Sequence, residues 1–350
     1  MRIGILTHHY INNFGAFLQA YALCGAVAEL YPDDEVEIIN YINKRHFIIN
    51  TLGWFRYYKN RESLESWMQK IRLPKTFGKA RREDMKLSPL CLTVGDINKR
   101  NYDCIIVGSD EVWNYKDKKA NQKVKFGYGL KCKKLIAYAP SVGKSDAGAE
   151  LPDYVKEGVK KFDAVSARDS LTAELIEKSS GKKAARVLDP TFLYRFPKAE
   201  LKSAKKPYIL FYYCEHMPES IKNYILDYAK KHGFAVYGAG ECDKVYTDIT
   251  VNLSPFEWVE MFRNAEFVFT GTFHGAVFSI LNKKQFMVYL TNPSRIKKVG
   301  ALLEELNIGD RQLNEDFNID NSSDIDYNAV YLKIEEQREK SIDYIRKSIG

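Results

Sequence analysis

Short apolar runs alternate along the chain with longer stretches whose apolar residues recur at helical spacing, the pattern of a parallel α/β sheet. Arg2–Thr7 reads as a strand and Gly15–Leu30 (GAFLQAYALCGAVAEL) as the helix after it. Further strands are predicted at Glu35–Asn40, Asp103–Gly108, Leu135–Ala139, Ala164–Ala167 and Val187–Leu188, the last two separated by a helix at Ser170–Lys178. Residues 54–90 do not fit a compact βα unit; basic and aromatic, they read as an insertion in the first domain. Around Ala199–Pro207 (AELKSAKKP) the periodicity lapses into a polar, lysine-rich link, the natural domain boundary. A second series follows: strands at Tyr208–Tyr213, Ala235–Tyr237, Glu266–Thr270 and Gln285–Tyr289, helices at Glu219–His232, Pro255–Arg263, His274–Leu281 and Ser294–Leu306. The chain closes on a charged amphipathic helix, Tyr327–Ser348. The expected organisation is a first domain over 1–198, a second over 207–325 and a terminal helix within 326–350. Two open parallel sheets carry their ligand sites at the strand carboxyl ends, here expected to face a shared cleft.

Composition narrows the class. At 350 residues the chain is comfortable for two cores, and 45% hydrophobic with 28% charged residues excludes a disordered chain. No run approaches the roughly 20 apolar residues a spanning helix needs, and MRIGILTHHY is too short for a signal peptide, so a cytoplasmic protein is expected. The six cysteines are scattered without a C-x-x-C pair, which argues against both zinc and a disulfide framework. The net charge of +8 is concentrated: Arg56–Lys86 carries +6 and Lys116–Lys134 carries +7, leaving the remainder at −5. Such segments suit an anionic partner, whether a phosphate-bearing ligand or a lipid headgroup surface. No recognition helix, RNP-like strand or zinc finger is present, so nucleic acid is not expected.

Four turns offer chemistry. Thr7–Gly15 (THHYINNFG) follows a strand and opens a helix; Asn13 and Gly15 either shape an anion or hydroxyl site or supply turn geometry. It is not G-x-G-x-x-G, so a nicotinamide site is not expected. Val107–Asn114 (VGSDEVWN) delivers Ser109 and Asp110 to the sheet edge, with Asp110 either a general base for a hydroxyl or an N-cap. Trp113 either stacks on a sugar ring or packs. Arg168, in SARDS, stands at a strand-to-helix junction, placed to bind a carboxylate or phosphate or to pair with an acid. The strongest turn is Phe267–Ser279 (FVFTGTFHGAVFS): a buried strand ends in Thr-Gly-Thr, and His274 with Gly275 opens a helix, a placement suited to phosphate or proton transfer. Asn292–Arg295 opens another helix and brings a second guanidinium, Arg295.

Taken in order, NFGAFLQAYAL, VGSDEVWN, AYAPSVG, SARDS, LDPTF and TGTFHGAVFSI resemble the polysaccharide pyruvyl transferase family over roughly residues 1–310. The resemblance implies two Rossmann-like domains of glycosyltransferase-B type and transfer of pyruvate from phosphoenolpyruvate to a sugar of a surface polysaccharide or its lipid-linked precursor. On this reading phosphoenolpyruvate is a co-substrate, with no cofactor and no metal. The resemblance puts Arg168 and His274 at the donor phosphate and carboxylate, with His274 at phosphate or delivering a proton; Thr272, Gly275 and Arg295 are assigned to the donor side beside them. Asp110 would serve the acceptor hydroxyl, and Asn13, Gly15, Ser109 and Trp113 the acceptor side. Better-known members tend to carry Arg two residues before this His, where the present chain has Thr272. The terminal helix is expected to cross back onto the first domain, as in folds of this type. A lipid-linked acceptor would bring the protein to an anionic membrane as a peripheral partner, through the basic and aromatic residues after Trp54. The rival readings are a glycosyltransferase using a nucleotide-sugar and a non-catalytic sugar-phosphate-binding subunit.

Overall fold

The computed structural model describes residues 1–58, 62–143, 150–205, 207–313, 317–319 and 323–350, with Ser294 through its backbone alone. Parts of the expected insertion (59–61) and link (206) lie outside the described residues. The elements run β1 (Arg2–Leu6), α1 (Phe14–Leu30), β2 (Glu35–Ile38), α2 (Lys44–Gly53), α3 (Leu64–Lys70), α4 (Leu73–Asp84), α5 (Val94–Asn98), β3 (Cys104–Asp110), β4 (Lys134–Pro140), α6 (Asp153–Lys160), β5 (Ala164–Ala167), α7 (Ser170–Ser180) and β6 (Ala185–Arg186). They continue as β7 (Tyr208–Tyr212), α8 (Glu219–Lys231), β8 (Ala235–Gly238), α9 (Pro255–Asn264), β9 (Phe267–Thr270), α10 (Phe273–Leu281), β10 (Gln285–Val288), α11 (Pro293–Glu305) and α12 (Tyr327–Ile349). Among the described residues no helix is long and apolar enough to cross a membrane.

The chain divides into two compact units. The first comprises Met1–Gly53, Gly78–Arg195 and Glu335–Gly350; the second comprises Trp54–Phe77 and Phe196–Ile334. The first holds a six-stranded sheet in the order β2-β1-β3-β4-β5-β6, parallel throughout. Its strands are apolar on both faces because helices cover both, as parallel sheets require. Leu6, Ile105, Val107 and Ala137 form one core with Phe126, Val155, Val159 and Phe162. Gly108, at φ 131, cannot be replaced: a Cβ there would fall 1.9 Å from the carbonyl oxygen of Tyr138 on the neighbouring strand. The last strand pairs at Ala185–Arg186, two residues before the expected Val187–Leu188.

The second unit holds a four-stranded parallel sheet, β10-β9-β7-β8, with Ile209, Phe211, Phe269 and Met287 at its core. Trp54–Phe77, read from sequence as part of a first-domain insertion, groups with this unit instead. The physical reason is polar: Gln69 Oε1 accepts from the Val251 and Asn252 backbones at 3.3 and 3.4 Å, and Thr76 hydrogen-bonds Asn252 at 2.7 Å. The terminal helix contributes Glu335–Gly350 to the first unit. There Ser341 Oγ accepts from the Leu188 backbone N–H (2.9 Å) and Tyr344 donates to the Ala137 carbonyl (2.9 Å).

Candidate functional site

In an open parallel sheet ligands bind where the strand order reverses, at the strand carboxyl ends. In the first unit that point lies between β1 and β3, so Thr7–Tyr10 and Ser109–Asp110 occupy it. The two strand ends are tied by a buried polar loop. Ser109 Oγ donates to Gln19 Oε1 (2.6 Å), Gln19 Nε2 donates to Thr7 Oγ1 (3.0 Å), and Thr7 donates to the Ser109 carbonyl (3.1 Å). Ser109 is thus a clamp between strands, fully buried, rather than an acceptor ligand.

Asp110 is the exceptional residue. Its backbone sits at φ 74, ψ −175, a region almost confined to glycine, at a cost on the order of 1–3 kcal/mol. Such a conformation persists only where the surroundings impose it. The Ser141 N–H donates to the Asp110 carbonyl at 2.7 Å, and the guanidinium of Arg168 lies 3.5 Å from its carboxylate. Arg168 also forms a short ion pair with the fully buried Asp189, whose other oxygen accepts from the Thr191 backbone and hydroxyl (3.0 and 2.6 Å). Burial alone would lower the Arg168 pKa; Asp189 and Asp110 outweigh it and raise it. Expected from sequence on the donor side, Arg168 instead sits between two carboxylates and orients Asp110.

Beside Asp110 lies a group of bases that no motif announces. Lys125 is fully buried, its ammonium nitrogen 2.8 Å from His8 Nε2 and 3.4 Å from the Ala120 carbonyl. Burial pulls its pKa down to about 7, against the opposing fields of Asp110 and Asp117. Burial, and then the Lys125 charge, holds His8 well below its ordinary value. His9 is lowered to about 4, again chiefly by burial, with Nε2 hydrogen-bonded to Asn40 Oδ1 at 3.1 Å. His46 faces His8 edge-on at 5.6 Å and shares a 3.1 Å hydrogen bond with the Tyr10 hydroxyl. Both histidines of Thr7–Gly15 were visible as a pair after a strand, whereas Lys125 is one lysine in a run of eight and carries no local signal.

Three acceptor-side expectations meet other roles. Trp113 is fully buried, donates from Nε1 to the Lys125 carbonyl (2.8 Å) and stacks on Phe126; it is core, not a sugar platform. Asn13 is the N-cap of α1, accepting from Ala16 N at 3.0 Å, and Gly15 is buried in that helix's first turn.

The second sheet reverses order between β7 and β9, and the β9–α10 turn stands there. Thr272 caps α10, its hydroxyl accepting from Gly275 N at 3.0 Å, so these two residues close on each other rather than on a donor. A Cβ on Gly275 would fall 1.9 Å from Thr270 Oγ1, which fixes glycine at that position. His274 is half-buried in the first turn, its ring edge-on to Phe273. Arg295 reaches back from α11 and donates to the Gly271 carbonyl at 3.1 Å. Thr272, His274, Gly275 and Arg295 are therefore assembled in the second unit, whereas Arg168 and Asp110 belong to the first. A cavity of about 300 Å³ at the ends of β7 and β8 is lined by Glu215, Glu241 and Asp243 among others. Half-buried Glu241 accepts from the Tyr213 N–H and the Tyr246 hydroxyl, both at 2.8 Å, and desolvation raises its pKa. Lys222 and His216 also line it, with Lys222 paired to Asp243 at 2.6 Å.

Comparison with solved structures extends over the whole chain. A putative UDP-N-acetylglucosamine 2-epimerase from Listeria monocytogenes superposes with a TM-score of 0.50 at 9% identity, over 98% of this chain and 90% of that one. The heptosyltransferase WaaC of E. coli, solved with ADP, gives 0.42 at 13% identity, over 98% and 100% of the respective chains. A comparison with curated proteins finds no match. The shared architecture is of glycosyltransferase-B type: two α/β units, each with a parallel sheet. The family model described as polysaccharide pyruvyl transferase matches residues 13–293, from the cap of α1 to the start of α11. That span takes in Ser109–Asp110 at the first reversal point and the β9–α10 turn at the second, and the chain belongs to the polysaccharide pyruvyl transferase family.

Proposed function

We propose that the protein transfers pyruvate from phosphoenolpyruvate to two hydroxyls of one sugar, in a surface polysaccharide or its lipid-linked precursor. The product is a cyclic ketal, and inorganic phosphate is released. The observation that carries the reading is Asp110: a carboxylate held in a glycine-type backbone at the reversal point, oriented by Arg168, with bases of lowered pKa alongside. Such an arrangement fits removal of protons from hydroxyls, which this reaction needs twice.

The balance is as follows. A proton adds to the methylene carbon of the enol, making it a methyl group and leaving C2 electrophilic. One sugar hydroxyl attacks C2 and loses its proton to a base. Phosphate then leaves with its bridging oxygen, and the second hydroxyl closes the ketal and loses its proton. Of the two hydroxyl protons, one replaces that spent on the methyl and one departs on phosphate. In this scheme Asp110 takes the hydroxyl proton, while His274 supplies the methyl proton or contacts phosphate. Arg295 contributes positive charge near the donor. Thr272 adds none, so cation for the donor must come from Arg295 or a lysine. Lys125 and His8 are buried, and the Lys125 ammonium feels the field of Asp110.

Calorimetric titration decides between donors. Saturable binding of phosphoenolpyruvate, with nucleotide-sugars inert, is the expected result. Binding of a nucleotide-sugar with phosphoenolpyruvate inert transfers the assignment to a glycosyltransferase.

A further inference from the structure

Helix α2 carries both aliphatic and basic residues on its outward face. Its uncharged polar residues His46 and Asn50 face the protein: His46 Nδ1 meets the Tyr10 hydroxyl at 3.1 Å, and Asn50 Oδ1 accepts from Asn12 N at 2.9 Å. Its aliphatic residues face solvent, with Ile48 52%, Ile49 37% and Leu52 61% exposed, and no residue of the helix is buried. Ile48 and Leu52 are one turn apart, and Lys44 and Arg45 stand one turn before Ile48 and Ile49. A surface helix in a globular unit normally keeps its aliphatic residues on the inward face. Among the described residues, eight of the fifteen exposed large hydrophobics fall between Ile48 and Met68, so this is a concentration rather than a scatter.

The chain runs on, in the second unit, with the same composition. Phe55, Tyr57, Tyr58, Leu64 and Met68 are exposed there, although the backbone is tied: Trp67 Nε1 donates to the Phe55 carbonyl (3.2 Å) and Lys70 Nζ to that of Arg56 (2.6 Å). From Lys44 to Lys75 the sequence has eight basic and two acidic residues. That charge argues against a second copy of the chain as the covering surface, since an isologous contact would set like charge on like. It matches an anionic lipid surface, where aliphatic residues enter the headgroup boundary and lysine and arginine meet phosphate.

We propose that the outward face of α2, Lys44–Arg45–Ile48–Ile49–Leu52, docks on an anionic lipid bilayer. The inference does not depend on the identity of the donor, because its readout is binding to lipid.

The test is cosedimentation of the full chain with vesicles of phosphatidylcholine containing phosphatidylglycerol, and with phosphatidylcholine alone. The wild type is expected to pellet with the anionic vesicles at low salt, to release as salt rises, and to ignore neutral ones. Ile48→Glu/Leu52→Glu, at positions already in solvent, should weaken partitioning by about tenfold or more with an unchanged melting temperature. Lys44→Glu/Arg45→Glu should do so through charge alone. Absence of wild-type binding at low salt, equal binding to both vesicle types, or undiminished binding by both variants overturns the proposal. So does a wild-type dimer in sedimentation velocity that Ile48→Glu/Leu52→Glu dissociates without any vesicle binding.

Discussion

Arg168 lies between Asp189 and Asp110 with its side chain 6% exposed, so deleting it strands negative charge away from water. Arg168→Ala is therefore expected to destabilise the protein by about 3–5 kcal/mol, the cost of breaking a buried pair from one side. Chemical denaturation reads this directly, and a loss below about 1 kcal/mol would contradict it. Lys125 makes a prediction in pH. Its ordinary pKa of 10.5 falls to about 7 in the fold, so between those values the unfolded chain binds a proton that the folded chain does not. Stability from this group rises with pH across that window, and below it the penalty of burying the ammonium is complete. His9, lowered from 6.5 to about 4, adds a second slope of the same sign: stability is lost as pH falls from 6.5 toward 4. Melting temperatures of Lys125→Met should lose the slope above neutrality while keeping the acid one. An unchanged slope above neutrality would show that Lys125 titrates normally.

At the scale of elements, the β9–α10 turn shows how one hydroxyl and one glycine seat a helix. Thr272 caps Gly275 N, and Gly275 leaves room for Thr270. Gly275→Ala should cost about 1–3 kcal/mol through the clash, whereas Thr272→Ala should cost about 1 kcal/mol through the lost cap. Thermal melts of the two variants check the order, and a neutral Gly275→Ala would show that the strand end yields. This turn was legible in sequence because a strand ending in Thr-Gly-Thr before an amphipathic run is a local signal. Strands β1, β3, β5 and β7 were legible for the same reason, within a residue or two at their ends. Three things were not. Trp113 reads as platform or core, packing being the commoner role after a strand, and the contact with Phe126 decides for core. Arg168 needs Asp189, twenty-one positions away, before its partner is known. The outward placement of the α2 aliphatics is invisible because His46 and Asn50 become inward residues only through Tyr10 and Asn12.

At the scale of the molecule, the end of the chain is a working part of the first unit. Ile345 and Ile349 are buried, Ser341 satisfies the Leu188 N–H, and Lys134 donates to the Ile349 carbonyl at 2.6 Å. Ser341→Ala leaves that amide without its acceptor and is expected to cost about 1–3 kcal/mol in urea unfolding. A variant as stable as the wild type would mean that the amide finds another partner. The two units also differ in what they offer chemistry. The first supplies a strained carboxylate amid buried bases, and the second a helix-opening histidine with a guanidinium at its turn. The proposed transfer assigns the first set to the hydroxyls and the second to the donor. Incubating the protein in D₂O with phosphoenolpyruvate and candidate sugars, followed by ¹H and ³¹P NMR, tests this most directly. The account predicts sugar-dependent release of inorganic phosphate together with a ketal whose methyl group carries one deuterium. Phosphoenolpyruvate left intact while a nucleotide-sugar is consumed by the same sugars would contradict it.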